Sequence, residues 1–205
     1  MINLNELFPY KFNKKYAKPA AYFSMEFAVD QPLKIYSGGL GFLAGSHLRS
    51  AYELKQNLIG IGILWKKGYY DQERNQDQTL RVSFRDKEYS FLTYTHIVFP
   101  ITIHGAKVFV KAYLLKPEVF QSAPLFLLST DIPENDYLAQ TISHRLYDPN
   151  ETTRIAQSIL LGIGGAKLLD VLKRETDIYH MNEGHALPLC FHLMDKYKDV
   201  EEVKK

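Results

Sequence analysis

Gly38, Gly39, Gly41 and Gly45 crowd into eight positions, and a segment with helical apolar spacing, FLAGSHLRSAYELKQN, follows from Phe42. Residues without a Cβ let successive backbone N–H groups close on an anion, and a helix N-terminus adds a favourable dipole. The chemistry on offer is the holding of a phosphate or another oxygen-rich group. The run Gly39-Leu40-Gly41-Phe42-Leu43-Ala44 also satisfies the dinucleotide pattern G-x-G-x-x-A. That fingerprint needs its glycines directly after a first strand, and an acidic residue about 20 positions on, at the end of the second strand. Here roughly ten residues separate Phe27 from Gly38, and the second strand ends at Trp65-Lys66-Lys67 with no carboxylate before Asp71. The pattern fits by letters and fails by context. A nucleotide-dependent enzyme is therefore the weakest of the functions open to this chain. The glycines read either as an anion cradle or as a tight strand-to-helix connection.

His180 and His185 flank Glu183, but H-x4-H is not the zinc pattern, which needs His at i and i+4 of one helix with Glu after the first. A polar contact is expected of them rather than a metal. Cys190 is the single cysteine, which excludes an internal disulfide or a cysteine metal cluster and fits a reducing, cytoplasmic setting.

The elements that must position these groups follow from periodicity. Residues 20–27 (AAYFSMEF) and 58–65 (LIGIGILW) are short apolar runs, as strands covered on both faces require. The segment after the glycines sets Leu43, Leu48, Ala51 and Leu54 near one helical face. From Gly68 to Leu115 the sequence is strand-rich, with a hairpin turn at His104-Gly105. PLFLLST (124–130) reads as another central strand, and two helical stretches follow, the second opening at Glu151. TDIYHM (176–181) is a short strand, NEGH a turn, and a closing helix is interrupted near its start by Pro188. Strand–helix–strand ends around a β-rich insertion (68–115) predict one α/β domain over 1–205, mostly parallel and preceded by an N-terminal extension (1–17).

Composition narrows the partners. Of the 205 residues, 25 are basic and 23 acidic, so the formal charge of +2 implies no nucleic-acid field. The densest charge cluster, Asp195 to Lys205, mixes signs as a solvated helix end does. The longest apolar stretches, NLIGIGILW and SILLGIGGAKLL, read as too short or too interrupted to span a bilayer.

Seven blocks then occur in order: AYFSMEF, IYSGGLGFLAGSHLRSAYEL, LIGIGILWKKGYYDQ, PLFLLSTDIPEND, ISHRLYD, TRIAQSILLGIGGAKLL and DIYHMNEGHA. Together, over roughly residues 18–195, the chain resembles the N-terminal part of the α-glucan (glycogen/maltodextrin) phosphorylases of the shorter bacterial and archaeal type. The resemblance implies a glycosyltransferase-B architecture of two Rossmann-like domains facing across a cleft. It implies phosphorolysis of α-1,4-glucan to glucose 1-phosphate with retention of configuration. It also implies pyridoxal phosphate, held by a lysine of the second domain and acting through its 5′-phosphate.

Carried over by residue, the resemblance puts the amides of Gly38, Gly39, Leu40 and Gly41 near substrate phosphate and sugar. Glu26 lines the deep end of the sugar pocket. Asn182, Glu183 and His185 follow a strand, where ligands gather in open α/β sheets, and Arg154 is a pocket arginine. The LYDPNE stretch (146–151) corresponds to a loop that controls substrate access. The pattern is departed from at Ser46, Ser129 and Ser158, where the family commonly carries Asp, Asp and Glu, and at AVDQ (28–31), which lacks a His-Glu pair. No segment here resembles the one that carries the cofactor lysine. The expectation is thus an incomplete domain, inert alone and binding no pyridoxal phosphate. Its expected partners are α-glucan and phosphate, or a separately encoded C-terminal half, with a tendency to self-associate through uncovered apolar surface. A non-catalytic glucan- or phosphate-binding module is the alternative.

Overall fold

The computed structural model describes residues 6–198. In chain order it forms β1 (Ala20–Phe23), α1 (Gly39–Glu53), β2 (Leu58–Ile63), β3 (Asp71–Arg74), β4 (Leu80–Ser83), β5 (Thr93–Ile103) and β6 (Ala106–Leu115). There follow α2 (Pro117–Phe120), β7 (Leu125–Ser129), α3 (Tyr137–Thr141), α4 (Glu151–Ile159), α5 (Gly165–Leu172), β8 (Ile178–Met181) and α6 (Leu189–Tyr197). Six strands make one sheet in the order β5-β6-β7-β2-β1-β8, and β3 and β4 form a separate hairpin. The pairs β1–β2, β1–β8 and β2–β7 are parallel, whereas β6 runs antiparallel to both β5 and β7. This is the expected α/β fold with a mostly parallel, Rossmann-like sheet.

The strand sequences explain their places. Every residue of β1, β2 and β7 is buried, which is why they read as unbroken apolar runs. In β5 exposed and buried residues alternate towards its end, so one of its faces meets water. His104 and Gly105 both take positive φ (50° and 77°), as the two-residue turn between β5 and β6 requires. The β-rich middle of the chain divides: β3 and β4 stay in their own hairpin, whereas β6 pairs with β7 and, with β5, extends the main sheet.

Glycines let helices sit close on both faces. A Cβ on Gly60 would lie 3.1 Å from Leu48 of α1, and one on Gly165 of α5 would lie 2.6 Å from Phe23 and 2.8 Å from Ile61. Gly60 and Ile61 point to opposite sides of β2, so α1 covers one face and the α4–α5 run the other. A π-helical turn, Leu160–Gly164, joins α4 to α5 into one helical run, Glu151–Leu172. At 22 residues this run is long and apolar enough to cross a membrane, contrary to the expectation from SILLGIGGAKLL alone. Its apolar side is nevertheless spent on the sheet, since Leu160, Leu161 and Leu168 are fully buried.

Two local expectations are corrected. The first helix starts at Gly39 rather than Phe42, so the glycines form its first turn instead of a loop ahead of it. Its buried face is Gly41, Ala44, Gly45, Leu48 and Ala51, whereas Leu43 and Leu54 are exposed (61% and 45%). Small residues win that face because the helix lies against backbone: a Cβ on Gly45 would overlap the carbonyl of Ala28. The first of the two helical stretches expected after residues 124–130 condenses to a single short helix, α3, capped by Asp136. Within the N-terminal extension, residues 6–17 pack on the domain through Tyr10 Oη, which donates to Gln56 O (3.1 Å), and Asn13 N, which donates to Lys55 O (3.0 Å). The charged tail beyond Lys198 lies outside the described residues.

Candidate functional site

Strand order locates the crevice. The chain leaves β1 for α1 on one face, while after β8 it turns to α6, which packs on the α4–α5 run across the sheet. Adjacent parallel strands whose exits diverge leave a gap at their carboxyl ends, the common ligand position in such sheets. Residues 24–27 follow β1 there and residues 182–186 follow β8, the two joined by Asn182 N donating to Phe23 O (2.9 Å) and Asn182 Nδ2 to Ser24 Oγ (3.2 Å).

Glu26 is only 2% exposed, yet its carboxylate is saturated. Oε2 accepts from Ser37 N (2.6 Å) and Gly38 N (3.1 Å), and Oε1 accepts from Ser37 Oγ (3.1 Å) and from the Tyr147 hydroxyl. Gly38 is the N-cap of α1, so the carboxylate seats a negative charge on the positive end of the helix. Gly41 is required underneath: a Cβ there would come within 2.6 Å of Tyr36 Cβ and 3.0 Å of Glu26 Oε2. Above Gly38 and Gly39 the space is open, and the amides of Gly39, Leu40 and Gly41 have no acceptor among the described residues.

Beside this seat lies a cavity of about 500 Å³, lined by Met25, Tyr147, Arg154, Ser158 and His185 among others. Asn150 caps α4 through Thr153 N (3.1 Å), which sets Arg154 on the helix's first turns facing the cavity. The 184–186 turn presses onto the π-helical turn, where Gly162 leaves room: a Cβ there would lie 2.8 Å from Ala186 O. His185 Nδ1 is buried without a partner in the fold. Burial, helped by Arg154, holds the His185 ring below its usual pKa against the pull of Glu183 and Glu26. Burial, with the Glu26 carboxylate, pushes the Tyr147 phenol up. The wall thus offers a cation and a neutral imidazole, and Tyr147 links it through Glu26 to the α1 amides. That set suits hydroxyl-rich or oxyanionic ligands.

The sequence-predicted residues divide into two groups. Glu26, Gly38, Gly39, Leu40 and Gly41 come together at the α1 N-terminus, with Leu40 half-buried against the core. Arg154 and His185 share the cavity wall. Asn182 is buried and occupied in tying β8 to β1, and Glu183 is exposed at positive φ (66°), its carboxylate acting on His185 only through charge. Of the departures from the family pattern, Ser158 lines the cavity, Ser46 is exposed on α1, and Ser129 is buried, its hydroxyl accepting from Asp131 N (3.1 Å). His180 stacks on Tyr22 (4.8 Å), and His47 lies 4.6 Å from the same ring and 6.1 Å from His180.

Ser37 and Tyr147 were not singled out by sequence. A serine before a helix is a recognisable cap signal, so Ser37 was within reach. Tyr147 was not, being 121 residues from the carboxylate it serves.

No protein-family model matches the chain. It is 51% identical over 180 residues to an uncharacterized protein of Methanocaldococcus jannaschii, covering 88% of this chain and 34% of that one. It is 36% identical over 179 residues to the maltodextrin phosphorylase of Thermococcus litoralis, covering 83% of this chain and 21% of that enzyme. With the glycogen phosphorylase of Aquifex aeolicus identity is 32% over 216 aligned positions, covering 95% of this chain and 30% of that enzyme. The chain therefore spans about a third or less of the length of these relatives.

Proposed function

From a chain homologous over most of its length to one part of the glycogen and maltodextrin phosphorylases, we infer a segment that forms one wall of a glucan- and phosphate-binding cleft. The observation that supports this reading is the cavity shared by Arg154 and His185, which Tyr147 links through Glu26 to the α1 N-terminus, in a homologue of those enzymes. In the proposed role the free amides of Gly39–Gly41 and the Arg154 guanidinium hold phosphate oxygens. His185, neutral through burial, exchanges hydrogen bonds with sugar hydroxyls. Glu26 acts one step back, fixing the helix end that the ligand meets, and Asn182 acts as the brace between the two loops. Glu183 contributes charge at the rim.

Pyridoxal phosphate fits poorly here. No lysine lines the cavity, so its wall offers no amine for a Schiff base. In the proposed glycosyltransferase-B arrangement that amine comes from a second domain. A second reading, that further polypeptide completes this one, rests on a different observation. β8 is an edge strand with Ile178 45% exposed, and Leu187 (57%), Phe191 (66%) and Met194 (46%) form apolar surface beside it. Such a surface also accounts for the expected self-association, and a cytoplasmic setting goes with both readings.

Calorimetry with a maltooligosaccharide and with inorganic phosphate, each at millimolar concentration, tests the first reading. Measurable binding that weakens several-fold in Arg154→Ala supports it. Absence of heat with either ligand removes the cleft assignment and leaves the completed-by-a-partner reading.

A further inference from the structure

We propose that Tyr147 is a positioning residue that latches the short stretch between Leu146 and the Asn150 cap of α4 onto Glu26, so that this stretch and the carboxylate's seat on α1 are released together. The donors to Glu26 come from two distances along the chain. Ser37 and Gly38 are 11 and 12 residues away, whereas Tyr147 is the sole long-range donor. Each carboxylate oxygen takes two donors, and the phenol shares Oε1 with the Ser37 hydroxyl, a rotor that cannot hold the group alone.

Ahead of Tyr147 the chain is tied down: Ser143 O and His144 O accept from Lys66 N (3.0 Å) and Lys67 N (2.8 Å), and Arg145 O accepts from Gln157 Nε2 (2.8 Å). Leu146 N donates to Gly68 O (3.0 Å), and Asn150 begins α4 as its cap. Between those points the backbone makes no hydrogen bond to other described residues, and Asn150 N is taken locally by Asp148 Oδ1 (2.9 Å). Tyr147 itself sits in the left-handed region (φ 57°), an uncommon state for a bulky residue that persists only where contacts over-determine it. Those contacts are the Glu26 carboxylate and the rings of His185 (5.8 Å) and Tyr69 (6.3 Å). One side chain thus ties the connection ahead of α4 to the α1 N-terminus, with the cavity wall between them. The latch involves no ligand, so it stands or falls apart from the reading of the cleft.

Residue-resolved amide hydrogen exchange on the full chain tests it, comparing wild type, Tyr147→Phe, Glu26→Gln and the double variant. Phenylalanine keeps the ring contacts and removes only the hydroxyl. The expected result is exchange about tenfold faster at Ser37 and Gly38 in Tyr147→Phe, the loss of one ordinary hydrogen bond's worth of protection. The core amides of Ile61 and Leu127 keep their protection, and Tyr147→Phe accelerates Ser37 and Gly38 less on the Glu26→Gln background, where the tyrosine's bond has already lost its charge assistance. Limited proteolysis supplies an independent arm, with faster cleavage within residues 147–150 of the Phe variant. Unchanged exchange at Ser37 and Gly38, equal acceleration in the core, fully additive effects, or unchanged cleavage would each overturn the proposal.

Discussion

Replacing Glu26 separates a cap from a mere buried carboxylate. Glu26→Ala leaves the Ser37 and Gly38 amides and the Tyr147 hydroxyl without their acceptor, at a site where the native side chain is 2% exposed. Each buried orphan costs about 1–3 kcal/mol, and losing the negative charge at the helix N-terminus adds roughly 0.3–1 kcal/mol. The open space above Gly38 lets water reach part of the deficit, which sets the expectation near the lower end, about 3–5 kcal/mol. Glu26→Gln is milder. Its single carbonyl oxygen can serve both amides while its NH2 donates to the Ser37 and Tyr147 hydroxyls, so only the charge assistance is lost, roughly 1–2 kcal/mol. Urea titration reads both values through Trp65, the single tryptophan, which is buried and donates to Met25 O (2.9 Å) beside Glu26. In a domain of this size each kcal/mol moves the Tm by roughly 2–4 °C. Equal losses for Ala and Gln, or an Ala loss below about 1 kcal/mol, would refute the idea that the carboxylate caps α1.

Two further outcomes follow from the same structure. Gly45→Ala forces a methyl into the Ala28 carbonyl, a backbone atom that cannot swing aside, and is expected to cost about 1–3 kcal/mol or more, whereas Gly39→Ala faces open space and stays within about 0.5 kcal/mol. Thermal melts of the two variants check the contrast, which fails if they shift alike. Stability is expected to fall as the solution is acidified below pH 6.5, because burial holds His47, His144 and His185 below that ordinary value. Above 6.5 both states are neutral and this contribution is complete. Below it the unfolded chain takes up protons the folded one refuses, until the folded values are passed. Urea midpoints at pH 7.5 and 5 read the drop, and His185→Gln should shrink it; a midpoint that rises on acidification contradicts the sign.

Legibility differed between fold and site for physical reasons. Strands covered on both faces leave unbroken apolar runs, so β1, β2 and β7 stood out in the sequence. The start of α1 did not, since three glycines within four residues suggest a loop. Only tertiary contact with Tyr36, Glu26 and Ala28 makes them useful as a helix turn. The apolar spacing of α1 misled in the same way, because close approach favoured Gly41, Ala44 and Gly45 on the buried side over Leu43 and Leu54. At the site, of the residues named by resemblance, Arg154 and His185 line one cavity, whereas Glu26 is joined to it only through the Tyr147 hydroxyl. That Asn182 is engaged with Ser24, or that Tyr147 joins two distant segments, depends on pairings between residues 158 and 121 positions apart. No local spacing encodes such pairings.

Amide chemical-shift mapping during titration with a maltooligosaccharide and with inorganic phosphate tests the central claim most directly. The account predicts the largest shifts at Gly39, Leu40, Gly41, Arg154, Gly184 and His185, the groups around the β1–β8 crevice. Shifts gathered instead around Lys66, Lys111 and Asp131, which line a separate cavity beyond the end of β7, or none at all, would contradict it.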